Sequence, residues 1–138
     1  MISFNIIDID IPEGINLDSV RAWIKNVIQD ELKLEGEIAY QFCSDEYLLK
    51  INIDFLQHDT LTDIITFPTT NDENIISGEI YISMDRVVDN SKNLDIELKH
   101  EIYRVIVHGV LHLLGYEDKT NEQSLMMRKK ENYYLGRF

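Results

Sequence analysis

A single cysteine, Cys43, leaves the chain unable to form an internal disulfide, and that scarcity suits a reducing compartment. Two prolines and six glycines, with no internal repeat, low-complexity tract or Pro/Ser-rich stretch, leave nothing that reads as a linker. No apolar run is long enough to cross a bilayer, and the start Met1-Ile-Ser-Phe-Asn-Ile-Ile-Asp8 lacks the basic residues and long apolar stretch of a signal peptide. A cytoplasmic protein with no membrane partner is therefore expected. Positive charge is also scarce: 13 Lys and Arg stand against 25 Asp and Glu, for a net charge of −12. The deficit is uneven, with 4 basic against 17 acidic residues over positions 1–85 and 9 against 8 over 86–138. Such a chain is a poor non-specific binder of nucleic acid, because phosphate contacts supply most of that affinity. Recognition of a nucleic acid would have to rest on a local patch, a bound cation or an already assembled ribonucleoprotein.

What is present is ordinary for a folded protein. At 44% apolar residues over 138 positions, the chain can bury a core without staples, and one domain spanning 1–138 is the simplest reading. Residues 2–11 are apolar and β-rich and read as a first strand. Asp18 is expected to cap a helix in which Val20, Trp23, Ile24, Val27 and Ile28 recur at helical spacing. Ile38, Tyr40 and Phe42 alternate as in a half-buried strand, and Ser44-Asp45 opens a short helix to about Phe55. Asp63–Phe67 reads as a strand stopped by Pro68, followed after a loop by a strand over Ile76–Ile82 in which Gly78 permits close backbone approach. Ser83 starts a short helix through Val88. Asp95 is expected to open the longest helix, running to about Leu114 with Leu98, Ile102, Val105, Ile106, Gly109 and Leu113 as its apolar stripe. Thr120-x-x-Gln123 is a capping box before a last helix carrying Leu125, Met126 and Leu135. The order β-α-β-α-β-β-α-α-α predicts an α+β fold, a mixed sheet of about four strands with five helices, the metal-site helix lying near the C-terminus.

The most informative segment is His108-Gly-Val-Leu-His112-Leu-Leu-Gly115-Tyr-Glu-Asp118. Two histidines four apart on a helix share one face, one turn apart, where a single ion can bridge them. Gly115 can take the left-handed turn that ends a helix, so the chain can fold back and bring Asp118 as a third ligand with the fourth position open to water. Zinc is the expected ion; the carboxylate also admits nickel, iron or manganese. Two neutral histidines and one aspartate leave about +1 on a divalent ion, against about +2 for three histidines. Glu117 is the neighbouring carboxylate that could replace Asp118. The spacing matches the metzincin zinc site, yet Gly109 stands where a zinc protease carries its glutamate base.

Other polar residues read more plainly. Glu101 and Arg104, seven and four positions before His108, are expected to form an exposed ion pair, with orientation of a ligand imidazole by Glu101 as the alternative. His58 and His100 read as solvent-exposed, and Lys129-Lys130 as a solvated face. Thr62, Asp63, Thr66, Ser77 and Glu79 are strand residues that could line a cleft beside the metal helix.

The segment His108–Asp118 closely resembles the H-G-x-L-H-L-x-G-Y-D-H signature of the YbeY family of bacterial endoribonucleases that mature ribosomal RNA. Ile51-Asn52 through Thr62-Asp63-Ile-Ile-Thr66-Phe67-Pro68 is similar to that family's L-N-x-x-Y-R…P-T-D-V-L-S-F-P block, and Ser77-Gly78-Glu79-Ile80 to its G-D-I strand. The resemblance implies an α+β fold with one zinc ion in a cleft, cleavage of single-stranded RNA, and a role in ribosomal RNA maturation and ribosome quality control. The partners it implies are ribosomal RNA with ribosomal proteins or assembly factors, and no DNA. Two positions depart from the pattern: Asp118 replaces the third histidine, and Leu56 stands where the family's Y-R pair has arginine.

On this reading His108, His112 and Asp118 hold an ion that acts as Lewis acid toward the scissile phosphate and as a source of hydroxide. No residue stands out as the general base. Two rivals remain open: a non-catalytic ribosome-assembly factor with a structural metal, and a metzincin-like metalloprotease, against which Gly109 counts.

Overall fold

The computed structural model describes residues 1–56 and 62–138; His58, expected to be exposed, lies outside the described residues. The described elements are β1 (Ile2–Ile6), α1 (Leu17–Asp30), β2 (Leu34–Cys43), α2 (Asp45–Ile51) running on into a π-helical turn (Asn52–Leu56), β3 (Ile64–Pro68), β4 (Ile75–Ser83), α3 (Met84–Asn93), α4 (Leu98–Leu113) and α5 (Asn121–Leu135). The sheet order is β1-β2-β4-β3. β1, β2 and β4 are parallel and β3 runs antiparallel against β4 as an edge strand, so the sheet is mixed and the fold α+β, as expected.

One face of the sheet carries the main core. Ile2, Ile38, Tyr40, Phe42, Ile76, Ile80 and Ile82 pack against Val20, Trp23, Ile24, Val27 and Ile28 of α1 and against Ile102, Val105, Ile106 and Val110 of α4. The alternation Ile38-Tyr40-Phe42 is the period-two signature of a strand with one buried face. Its one polar atom is satisfied, since the Tyr40 hydroxyl donates to the Ile106 carbonyl at 2.8 Å. The opposite face is thinner: α2 covers Cys43 and Ile65 with Leu48, flanked by Tyr47, Phe67 and Tyr81. Burial, with nearby aspartates, pushes the Cys43 thiol up to about 12, which makes it an inert apolar side chain.

Element ends depart from the sequence reading for local reasons. β1 stops at Ile6, because Asp8 turns aside to accept hydrogen bonds from the Ser44 backbone N–H (2.9 Å) and hydroxyl (2.6 Å). Asn16 caps α1, accepting from Ser19 N at 3.1 Å, while Asp18 sits in the first turn and pairs with Arg21. α3 extends five residues beyond the expected Val88. Asp95 does not open α4: at φ 53° it is the left-handed residue that closes α3, where Ile96 N bonds to Ser91 O and Asp95 N to Lys92 O.

The metal-site helix is seated by two glycines. A Cβ at Gly78 would lie 2.7 Å from the Phe67 carbonyl and 2.9 Å from Leu113 Cδ2, so only glycine lets α4 and β3 close on β4 there. A Cβ at Gly109 would lie 2.8 Å from Ile80 Cγ2 and 3.0 Å from Ile64 Cδ1. Position 109 therefore faces the sheet and has no room for the glutamate of a zinc protease. Gly109→Ala is expected to lower stability by about 1–3 kcal/mol in urea unfolding, the cost of overpacking a tight contact; unchanged stability would show that the helix can lift off the sheet at no cost.

Candidate metal centre

The last turn of α4 carries His108 and His112 on one face, with the imidazoles edge to face and their centroids 4.5 Å apart. Gly115 then takes φ 105° and terminates the helix in the six-to-one pattern, Tyr116 N bonding to Leu111 O and Gly115 N to His112 O. The reversal returns the chain to the histidines and places Asp118 Oδ2 3.4 Å from His108 Nε2 and 3.8 Å from His112 Nε2. All three expected ligands thus meet, their donor atoms within 4.8 Å of one another. The Asp118 carbonyl is held by the Ser124 hydroxyl at 3.1 Å, and Thr120 and Gln123 close the expected capping box at the start of α5.

The hydrogen bonds behind the histidines decide which nitrogens can bind an ion. His108 Nδ1 lies 2.6 Å from Glu131 Oε2 and His112 Nδ1 lies 3.0 Å from the Tyr116 carbonyl oxygen. Both partners accept only, so each Nδ1 carries the proton and each Nε2 presents a lone pair. Those two Nε2 atoms face each other at 2.9 Å. Two lone pairs at that separation repel unless a cation or a shared proton lies between them. Burial, and then the neighbouring His108, push the His112 imidazole below the usual histidine range, which disfavours the proton. Donor atoms on a tetrahedral ion at about 2.0–2.1 Å stand ~3.3 Å apart, so the observed triangle needs only a few tenths of an ångström of adjustment. The donor set fits a small divalent ion. Among the described residues no fourth donor joins the three, and Asp118 is half-exposed.

Behind His108 lies a buried charge network that the sequence reading placed at the surface. Glu101 is fully buried, and Arg104 grips it through Nε (2.8 Å) and Nη2 while reaching Glu131 Oε1 at 3.1 Å. The exposed ion pair expected of Glu101 and Arg104 is thus corrected, since both pack between α4 and α5. Glu131 itself was missed. Burial alone would raise its carboxyl, but the His108 hydrogen bond and the Arg104 charge outweigh burial and hold it below the ordinary glutamate range. The apolar face assigned to α5 is also wrong in part. Met127, Glu131 and Tyr134 face inward at helical spacing, whereas Leu125 and Met126 are exposed and Leu135 is only partly buried. A glutamate between Met127 and Tyr134 on one stripe was the available signal, and its partner 23 residues away was not.

The remaining candidates separate clearly. Asp63, from the residue before β3, lines a cleft of about 240 Å³ with Arg104, His108, Asp118 and Arg128. Thr62, Thr66, Ser77 and Glu79 do not line it. The Ser77 hydroxyl instead accepts from Glu37 N at 3.0 Å in the irregular stretch of β2, and Glu79 points to the opposite face beside Tyr81. His100 and Lys129 are exposed as expected, while Lys130 pairs with Glu31 at 2.9 Å. Glu117 lies near Gln123 and outside the ligand group. No described helix is long and apolar enough to cross a membrane.

A helix bearing two histidines and a returning aspartate thus form a group that could hold a metal ion, with His108 and Asp118 lining the cleft. The family model for endoribonuclease YbeY matches residues 6–138, and the chain belongs to that family of hydrolases. It is 48% identical to the endoribonuclease YbeY of Flavobacterium johnsoniae, over 89% of this chain and 90% of the relative. It is also 48% identical to that of Flavobacterium psychrophilum, over 100% of this chain and 96% of the relative. The solution structure of a Thermotoga maritima protein superposes with a TM-score of 0.68 at 25% identity, covering 98% of this chain and 87% of the other.

If Glu131 fixes the His108 tautomer, Glu131→Gln should weaken affinity for a divalent transition metal about 10–100-fold. Competition against a chromophoric chelator reads this directly, with circular dichroism to verify the fold. Affinity equal to wild type would mean that the carboxylate does not orient the ligand.

Proposed function

We propose that the protein is a zinc-dependent endoribonuclease that cuts single-stranded RNA in ribosomal RNA maturation and ribosome quality control. His108, His112 and Asp118 are its metal ligands, residues 1–138 form one catalytic domain, and its partners are ribosomal RNA with ribosomal proteins or assembly factors in the cytoplasm. The observation that carries the reading is the pair of Nε2 lone pairs facing each other at 2.9 Å beside Asp118, in a chain of the endoribonuclease YbeY family. The full-length relatives carry the name endoribonuclease, which supports RNA as the substrate.

Zinc suits two imidazoles and one carboxylate, and when bound supplies Lewis acidity toward a phosphoryl oxygen and acidifies water. The protein's own contribution is positional. Glu131 and the Tyr116 carbonyl hold both rings in the tautomer that aims Nε2 at one point. Asp118 adds a negative donor and leaves a net charge of about +1 on the site. The cleft leaves His108 and Asp118 within reach of an entering phosphate. Peptide hydrolysis lacks its base, because the position after His108 is Gly109, packed against Ile80 and Ile64.

The test compares the wild type with His112→Ala. The wild type should bind about one equivalent of zinc and cleave a single-stranded RNA, and the variant should lose the metal and at least about a hundredfold of the cleavage rate. Zinc without RNA cleavage in the wild type would make the protein a non-catalytic assembly factor. Peptide cleavage lost with His112 would make it a protease.

A further inference from the structure

A phosphodiester brought to the histidines must enter a cleft rich in carboxylates. Asp63 and Asp118 line it and Glu131 forms its floor, with Glu101 buried behind. Within a Debye length of about 8 Å these charges act on a phosphate together. Two arginines line the same space, and they are not equivalent. Arg104 is buried and committed, bonded to both Glu101 and Glu131. Arg128 is half-exposed, and its one described ion pair is a 3.4 Å approach of Nη1 to Glu131 Oε1. That carboxylate is already bound more closely by His108 at 2.6 Å and Arg104 at 3.1 Å. Most of the N–H donors of Arg128 are therefore free to serve a ligand at the mouth of the cleft, and a planar guanidinium matches a phosphate in two-pronged fashion. Leu56, on the π-helical turn, brings no charge and does not line this cleft.

We propose that Arg128 grips the RNA phosphate presented to the His108–His112–Asp118 site. The inference rests on the endoribonuclease reading and adds the residue that lets an acidic protein accept a polyanion there. With a divalent ion held, the ion and the two arginines just offset Asp63, Asp118, Glu101 and Glu131 in formal charge. Without Arg128 the cleft is net negative and repels its substrate.

The test uses the zinc-loaded full chain, a labelled single-stranded RNA oligonucleotide, and a series of potassium chloride concentrations. Arg128→Ala should keep its zinc, raise the dissociation constant and KM about tenfold, and leave kcat within about twofold, since a contact made equally in ground and transition states moves KM. The slope of log affinity against log salt should fall by about 0.7, the value of one phosphate contact on a single strand. Arg128→Lys should recover part of the affinity and the salt slope. Arg137→Ala, which removes a guanidinium stacked over Tyr133 outside the cleft, should match the wild type. The proposal is overturned if Arg128→Ala binds RNA with wild-type affinity and slope, if Arg137→Ala loses as much, or if Arg128→Ala loses zinc and Arg128→Lys does not restore binding. Wild-type binding without cleavage would sink the endoribonuclease reading, while the comparison of salt slopes would still decide the role of Arg128. A wild type that does not bind RNA overturns both.

Discussion

Two imidazole nitrogens with lone pairs turned toward each other at 2.9 Å are the constraint around which much of this molecule is arranged. Left to themselves the rings would rotate apart or take up a proton. They are held by one acceptor behind each Nδ1, and neither acceptor is isolated. Glu131 is fixed by Arg104, and Arg104 by the fully buried Glu101 one turn earlier on α4. The Tyr116 carbonyl is fixed through its own side chain, whose hydroxyl donates to Glu31 at 2.6 Å at the end of α1. Glu31 also receives Lys130, and Tyr134 from α5 donates to both Asp30 and Glu31. His108 and His112 are thus braced against α5 on one side and against α1 and the Gly115 reversal on the other.

Such bracing has a cost that hydrophobic packing would avoid. Burying Glu101, Arg104 and Glu131 removes three charges from water, and apolar residues of similar volume would often stabilise a fold as well or better. What an apolar replacement could not do is hold a proton on His108 Nδ1. The trio carries one net negative charge directly behind His108, which would complement a cation at Nε2. The same arrangement explains why α5 turns a glutamate inward while leaving Leu125 and Met126 in solvent. Its inward face combines the apolar packing of Met127 and Tyr134 with the pairing of Glu131 across 23 to 27 residues.

That distinction separates what could be read in the chain from what could not. Local rules worked where the cause is local. The period of Ile38-Tyr40-Phe42, the helical spacing of α1, the Thr120–Gln123 box and the left-handed Gly115 each depend on residues within one or two turns. The meeting of His108, His112 and Asp118 was legible for the same reason, since helix periodicity and one glycine reversal bring them together. Competing local partners misplaced the caps: Asn16 took the cap expected of Asp18, and Asp95 closed α3 instead of opening α4. Glu101 pairs with Arg104 within its own helix, whereas Glu131 and the structural use of Ser77 depend on partners far away in sequence. No pattern within a helix or strand encodes those partners.

Charge segregation along the chain takes on a spatial meaning once the fold is in view. The strongly acidic first 85 residues supply β1–β4, α1 and α2, whereas the ligands, Arg104 and Arg128 all come from α4, α5 and the reversal between them, in the nearly balanced remainder. Among the described residues, Asp63 is the one acidic residue of the first part that reaches the cleft. The excess acidity that argues against non-specific RNA binding therefore belongs to the first part of the chain, and the nearly balanced remainder frames the cleft. Aspartate in place of a third histidine fits that economy. On the proposed function it would leave about +1 on the loaded site, so that holding a phosphate would depend more on the arginines and less on the ion alone.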